Sequence, residues 1–428
     1  MLYAEYLTKR RDYQERGHLF LLERKHACLF YKPGKGKTYP CIDALRDVDE
    51  SKNYKANVLI LSTANAIKNM WEAEIVPQNI LPRNTILMSF NSAIVDNTKA
   101  NLMKVKWDVI IVDECHKIKS HNSKSSKLVY QLSKKAEYTW GLSGTPRGNS
   151  DVDIFCQFHN MNISEWGSIS YTHFVESCCD IDQKFFRGNC IKVPVGINRK
   201  YRAGWERNIA MYTQRIDYTE EDNMPDLDVN LVELPYQYTK EYKDAEDGVI
   251  QLSNYENTMT KLVAIQKLHQ IVNGFLYYSD EDDVKQVHQI EYNKKLDWLK
   301  ENVKTNNVIV YRFEQDRLNI TEALKDKFTL TEIVDDFKAD KADVLLLQCS
   351  KCESFNLQKC SRIIFYTLDY SYINYDQMLH RVWRMGQTEQ VDITILIFKA
   401  TVESDIWNAV KNKETMADLF MRIKCLGE

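Results

Sequence analysis

The chain has 428 residues, 44% hydrophobic and 27% charged, the composition of a soluble globular protein with room for two or three domains. Fourteen glycines and eight prolines exclude a collagen-like, linker or low-complexity chain. With 57 basic against 60 acidic side chains the net charge is −3, so any nucleic-acid contact has to come from local patches.

The first residues carry charges throughout and show no apolar core of the kind expected in a signal peptide. No stretch approaches the ~18 consecutive apolar residues of a membrane span. Eleven cysteines without a framework spacing point to reduced thiols and a cytoplasmic or nuclear location. Short apolar, β-branched runs then predict strands at 27–30, 57–61, 108–114 and 138–143, and again at 308–313, 343–349, 362–367 and 391–398. Amphipathic helices such as 66–75 and 403–413 lie between them, the pattern of parallel sheets covered on both faces. Two strand clusters predict an α/β fold of two lobes with a more helical middle. In that middle, 183–215 has eight basic residues and one acid, whereas 217–247 has eleven acids and two lysines. The acidic stretch holds Pro225 and Pro235 and is expected to be the crossing between lobes, with a solvated acidic face as the plain alternative. The expected boundaries are 1–215, 216–290 and 291–428.

Directly after the first apolar run, residues 31–38 read Tyr-Lys-Pro-Gly-Lys-Gly-Lys-Thr. A strand, a tight loop and a helix start form an anion cradle. Gly34 and Gly36 flank Lys35 and let the backbone approach phosphates. Lys37 meets the β- and γ-phosphates, and Thr38 offers a hydroxyl to Mg²⁺. Tyr31 stands where the full pattern has glycine, and a basic turn shares the truncated form. Asp113 and Glu114 end the first-cluster run 108–114. An Asp there holds Mg²⁺ and the adjacent Glu orients and deprotonates a water, although such acids also cap helices. The turn Gly141–Pro146 presents Ser143 and Thr145 to neighbouring carboxylates. Near the C-terminus, Arg381 and Arg384 are three apart, which predicts one helical face from which guanidiniums reach a γ-phosphate. Lys117, Lys119, Lys124 and Lys127 open a six-lysine run to Lys135 without an acid, suited to backbone phosphates rather than base edges. Cys349, Cys352 and Cys360, and the scattered Cys/His group from Cys156 to Cys190, lack two ligand pairs at zinc spacing. Cys349 reads as core.

In this order the segments resemble the ATPases of helicase superfamily 2, most closely the SWI/SNF-like DNA translocases, over about residues 8–413. The resemblance is carried by Asp113-Glu114-Cys115-His116, by Gly144-Thr145-Pro146 with Asn149, and above all by Gln377 to Gln387. Weaker echoes are Tyr13-Gln14, the Ser62-Thr63 loop before Trp71-Glu72 and Glu74, Ser350–Leu357, and 391–403. The resemblance implies two RecA-like parallel-sheet lobes in tandem with a helical insertion or linker between them. It implies ATP and Mg²⁺ as cofactors and catalytic roles for Lys37, Asp113, Glu114, His116, Arg381 and Arg384. Nucleotide contacts would come from Gln14, Gly34, Lys35, Gly36, Lys37, Thr38, Gln377 and Gln387, and metal contacts from Thr38 and Asp113. Nucleic acid would meet Ser62, Lys117, Lys119, Lys124, Lys127 and Asn356, with Ser143 and Thr145 coupling the two events. The function implied is an ATP-hydrolysing motor on DNA, duplex favoured, working as a monomer away from membranes, with protein partners left open. A strand-separating helicase shares every motif. A nucleotide-gated nucleic-acid-binding scaffold is the alternative of another class. Departures from the family pattern are Tyr31, the fifth-motif residues Cys352, Glu353 and Ser354, and a short Lys327–Phe337 segment. The whole resembles the bare motor cores of bacteriophages and large DNA viruses.

Overall fold

The apolar runs fold as parallel strands buried on both faces. The computed structural model describes residues 2–147, 151–186, 189–247, 249–252, 255–258, 261–279, 284–290, 293–351, 357–414 and 419. It divides into two units, Met1–Glu220 and Glu221–Glu428.

The first unit contains β1 (His26–Tyr31), β2 (Asn57–Ser62), β3 (Asn84–Ser89), β4 (Val109–Asp113), β5 (Tyr138–Leu142), the hairpin strands β6 (Cys179–Phe186) and β7 (Asn189–Ile197), and β8 (Thr213–Ile216). Six of them form a sheet in the order β3-β2-β4-β5-β1-β8 with every pairing parallel. Successive side chains of a strand face opposite sides, and here both sides are core. Val58 and Ile60 pack with Ile42, Leu45 and Trp71, while Leu59 and Leu61 pack with Phe155, Phe174 and Trp205.

The second unit repeats the plan with β9 (Leu227–Leu234), the hairpin strands β10 (Val249–Leu252), β11 (Tyr255–Thr258), β12 (Phe275–Ser279) and β13 (Lys285–Gln289), then β14 (Asn307–Tyr311), β15 (Leu330–Thr331), β16 (Val344–Gln348), β17 (Arg362–Phe365) and β18 (Val391–Phe398). Its sheet runs β15-β16-β14-β17-β18-β9, again all parallel. Val308 and Val310 face one core and Ile309 and Tyr311 the other. Two six-stranded parallel α/β sheets in tandem are the RecA-like architecture expected from the sequence.

Of the segment 216–290, expected as a linker and helical region, residues 221–290 are built into the second unit instead. β9 pairs with β18 along its whole length, from Leu227↔Val391 to Leu234↔Phe398, and the helix Lys261–Val272 buries Ala264, Ile265, Leu268 and Ile271 in that unit's core. The acidic run is compatible with a strand because β9 lies at the sheet's edge, with Asp228, Asn230 and Glu233 exposed. A second difference lies at 66–75. After a short α-helical turn at Ala64–Ala66, residues Ile67–Ile75 form a π-helix, with Val76 N–H bonding back to Trp71 O. Among the described residues no helix is long and apolar enough to cross a membrane.

Candidate active site

β1 ends at Tyr31, and the chain turns through Pro33–Lys37 into the helix Thr38–Ser51. Gly34 and Gly36 have φ of 85° and 72°, a region open to glycine without strain. A Cβ on Gly36 would lie 2.6 Å from Gln14 Nε2. The loop's carbonyls are held from outside. Gln14, buried on the helix Asp12–Arg24, donates to the carbonyls of Lys35 and Gly36 at 3.3 Å each. The Tyr13 hydroxyl donates to Lys35 O at 3.0 Å and the Tyr218 hydroxyl to Pro33 O at 2.7 Å. Lys35 itself is buried, its ammonium 5.5 Å from the Tyr13 ring centre. These ties set the loop's shape where a helix N-terminus begins, the arrangement that binds phosphate. Tyr31 is wholly buried, donates to Tyr13 O at 3.1 Å, and fits because Gly17 opposite has no Cβ. It serves the core of the unit.

β4 delivers Asp113 and Glu114 to the same C-terminal edge of the sheet, where ligand sites of parallel α/β sheets gather. Asp113 is buried. Its Oδ2 accepts from Ser62 Oγ (3.0 Å) and Trp71 Nε1 (3.1 Å), and its Oδ1 accepts from Glu114 N (3.0 Å). Burial and the neighbouring Glu114 push its carboxyl above the usual range, against the pull of Lys37, Trp71 and Ser62. Glu114 sits at φ 50°, in left-handed backbone rare for a non-glycine residue. Its Oε1 lies 4.0 Å from Lys37 Nζ and its Oε2 lies 3.3 Å from His116 Nδ1. His116 Nδ1 is also 3.2 Å from Ser143 Oγ, which accepts from Thr145 N at 3.1 Å. Gly144 packs against Pro33 of the loop. Three segments far apart in sequence thus make one line, Lys37–Glu114–His116–Ser143–Thr145. Thr38 and Asp113 supply hydroxyl and carboxylate oxygen, the hard donors Mg²⁺ prefers.

Several expected contacts fall elsewhere. Ser62, expected at nucleic acid, is fully buried and spends its hydroxyl on Asp113, because the register Leu61↔Val112 sets the ends of β2 and β4 side by side. Gln387, expected at the nucleotide, is a clamp inside the second unit. It donates to Gln358 O and Cys360 O and accepts from Thr388 N and Glu389 N. Arg381 and Arg384 do not share a helical face. The helix Tyr372–Val382 ends between them, Trp383 donates its indole N–H to Pro225 O at 2.8 Å, and Gly386 turns the chain at φ 90°. Gln377 is buried in that helix. Lys117, Lys124 and Lys127 are exposed as expected of a phosphate-contacting run, whereas Lys119 is paired with Asp153 at 3.7 Å. Within 183–215, Arg202 pairs with Asp151 and Glu206 at 3.8 Å each. Cys349 is core, its thiol donating to Thr367 O at 3.3 Å. Asn149, Cys352, Glu353, Ser354 and Asn356 lie outside the described residues. Reading the sequence missed the roles of Trp71 and Tyr218. Trp71 carries a signal only as part of a helix pattern and of a weak family echo, neither of which points to Asp113, and Tyr218 carries none.

The site sets a glycine-containing loop and a helix N-terminus beside paired acids on a parallel α/β unit, and comparison with known proteins adds to this. A model of the SNF2-related domain matches residues 80–183, and a model of the helicase conserved C-terminal domain matches 291–386. The SWI/SNF-related matrix-associated actin-dependent regulator of chromatin subfamily A-like protein 1 of Drosophila melanogaster is 24% identical over 94% of this chain and 54% of its own. The uncharacterized ATP-dependent helicase YqhH of Bacillus subtilis is 21% identical over 83% of this chain and 69% of its own. Among solved structures, the Sulfolobus solfataricus SWI2/SNF2 ATPase core in complex with dsDNA is matched with a TM-score of 0.40 at 18% identity, covering 97% of this chain and 92% of that one. The chain spans about half the length of the Drosophila relative. The chain thus carries an SNF2-related domain and a helicase conserved C-terminal domain, and along most of its length it is similar to a SWI/SNF-related protein.

Proposed function

We propose that the chain is an ATP-dependent motor that moves along DNA, with the duplex as its track. The observation that carries this reading is the meeting of Lys37, Asp113, Glu114 and His116 at one edge of the first sheet, around a loop whose shape is set by Gln14 and Tyr13. In this reading Lys37 and the loop N–H groups hold the β- and γ-phosphates of ATP. Thr38 and Asp113 would hold Mg²⁺, which when bound offsets charge on the transferring phosphoryl group. Glu114 orients and deprotonates the attacking water. His116 holds its carboxylate and, through Ser143, links it to the Thr145 turn, so a change at the γ-phosphate reaches the turn through Lys37–Glu114 at 4.0 Å and contacts of 3.3, 3.2 and 3.1 Å beyond it. Arg381 and Arg384 supply the positive charge that stabilises the transition state.

Lys117, Lys124 and Lys127 would bear on backbone phosphates, which predicts binding without base preference that weakens steeply with salt. DNA as the track is supported by the Drosophila relative, named a regulator of chromatin. The test is ATP turnover with duplex DNA, single-stranded DNA or RNA added, beside paired triplex-displacement and duplex-unwinding assays at matched ATP and salt. Duplex-stimulated turnover with displacement of the third strand and little unwinding is expected. Efficient unwinding without triplex displacement, or stimulation by RNA alone, overturns the reading in favour of a helicase. Nucleic-acid binding with no turnover on any track overturns it in favour of a scaffold.

A further inference from the structure

We infer that Trp71 and Ser62 are positioning residues for the cation site: together they occupy one carboxylate oxygen of Asp113 and reserve the other for the metal. The inference rests on the nucleotide reading above and names the residues that set its metal geometry.

A carboxylate offers about four lone-pair sites, two on each oxygen. Both sites of Asp113 Oδ2 are taken, by Ser62 Oγ–H at 3.0 Å and Trp71 Nε1–H at 3.1 Å. Oδ1 takes one backbone N–H, from Glu114 at 3.0 Å, which leaves its second site for a ligand. Ser62 and Trp71 are both fully buried and Asp113 is 2% exposed, so water does not replace a lost donor and the carboxylate plane stays where these two groups hold it. An indole N–H is a donor only and accepts nothing in exchange, so it fixes which oxygen faces inward.

The π-helix is what brings Trp71 there. Its wider turn, closed by Val76 N–H to Trp71 O, points the indole at the end of β4, and π turns concentrate at functional sites. The preceding residue, Met70, receives the Thr38 hydroxyl on its sulfur at 4.0 Å. One helix therefore borders both oxygen donors expected at the cation. Groups in this supporting position around metal ligands typically change metal affinity by roughly 10–100-fold when removed.

The experiment uses the full chain with Mn²⁺ and ADP as probes. Free Mn²⁺ is counted by electron paramagnetic resonance during titration of the ADP-bound protein, and ADP affinity is measured separately in EDTA. Trp71→Phe keeps the ring and removes the N–H. Ser62→Ala removes the other donor with a smaller change in packing, and carries the same test should the Phe variant not fold. Expected is a loss of about 10-fold or more in Mn²⁺ affinity in either folded variant, with metal-free ADP affinity within twofold of wild type. Wild-type Mn²⁺ affinity in the folded variants overturns the inference, as does an equal loss of ADP affinity in EDTA, which marks a merely structural role. Failure of the wild-type chain to bind ADP under either condition overturns the nucleotide reading itself and is told apart by that control.

Discussion

The Lys37 ammonium lies 4.0 Å from Glu114 Oε1, joining the phosphate loop to the acid that ends β4. Both side chains are largely buried, at 19% and 13% exposure, so the attraction is screened less than a surface pair would be. In the proposed function a γ-phosphate would compete with Glu114 for the same ammonium. Phosphate binding would then free that Glu114 oxygen for a water proton, with the other oxygen held 3.3 Å from His116 Nδ1.

This relationship separates two substitutions. Lys37→Ala removes the charge on the phosphates and is expected to weaken ATP binding and abolish turnover. Glu114→Gln keeps the loop, Asp113 and the lysine, so ATP still binds while turnover falls about 10²–10⁴-fold with the base gone. Equilibrium binding of a fluorescent ATP analogue beside steady-state hydrolysis distinguishes them. Equal loss of binding in both variants would give Glu114 a structural role.

The two arginines call for separate treatment because the helix ends between them. A residue that acts only in the transition state affects turnover and leaves nucleotide affinity in place. Arg381→Ala and Arg384→Ala are each compared with wild type for kcat and for ATP affinity. At least one is expected to lower kcat by about 10³-fold at nearly unchanged affinity. Parallel losses in both quantities, in both variants, would remove the arginine-finger assignment.

Much of this was legible in the sequence, and the exceptions share a physical cause. The central strands were visible because both of their faces are core, and the glycine loop and acid pair because each directly follows one of those apolar runs. Within the two six-stranded sheets the strands that escaped notice, β3, β8, β9 and β15, are the edge strands, where one side meets solvent and the apolar run breaks up. Ser62 was misread because its exposure depends on register with β4, which no local pattern states. Trp71 fell on an apparent α-helix, and a period of 3.6 does not reveal a π turn. Arg384 left its predicted face because the preceding Trp383 is tied to Pro225, 158 residues away.

Inside the second unit, Lys295 is fully buried and paired with Glu403 at 2.5 Å, with further bonds to Asn273 Oδ1 (3.1 Å) and Tyr366 O (2.7 Å). Burial lowers the ammonium's pKa and Glu403 opposes that shift. Removing only the lysine strands a buried carboxylate, which costs about 3–5 kcal/mol. Lys295→Met is expected to lose that much in denaturant unfolding of the full chain. The double variant Lys295→Met, Glu403→Gln should recover part of it, since the stranded charge is gone. A double variant no more stable than the single one would show that packing, not charge, sets the loss.

Asp316 gives a pH dependence whose sign runs against the usual one for a carboxylate. It is fully buried, and its Oδ2 accepts from Arg312 N (3.3 Å), Phe313 N (2.9 Å) and Thr367 Oγ1 (2.9 Å), while Oδ1 has no partner among the described residues. Burial pushes its pKa up to about 7, against these hydrogen bonds and the charge of Lys295. In the unfolded chain the group titrates at about 3.9. Between those values the folded state binds the proton and the unfolded state does not, so Asp316 withdraws stability as pH rises, by at most about 1.4 kcal/mol per unit. Above about pH 7 both states are ionised and the loss is complete. Asp316→Asn carries no charge at any pH, so its stability relative to wild type should climb from pH 5 to pH 7 and then level off. Urea unfolding of both proteins at pH 5, 6, 7 and 8 measures the difference directly, and the subtraction cancels every other titrating group the two share. A difference constant across that range would mean that Asp316 is already ionised at pH 5 in the folded protein.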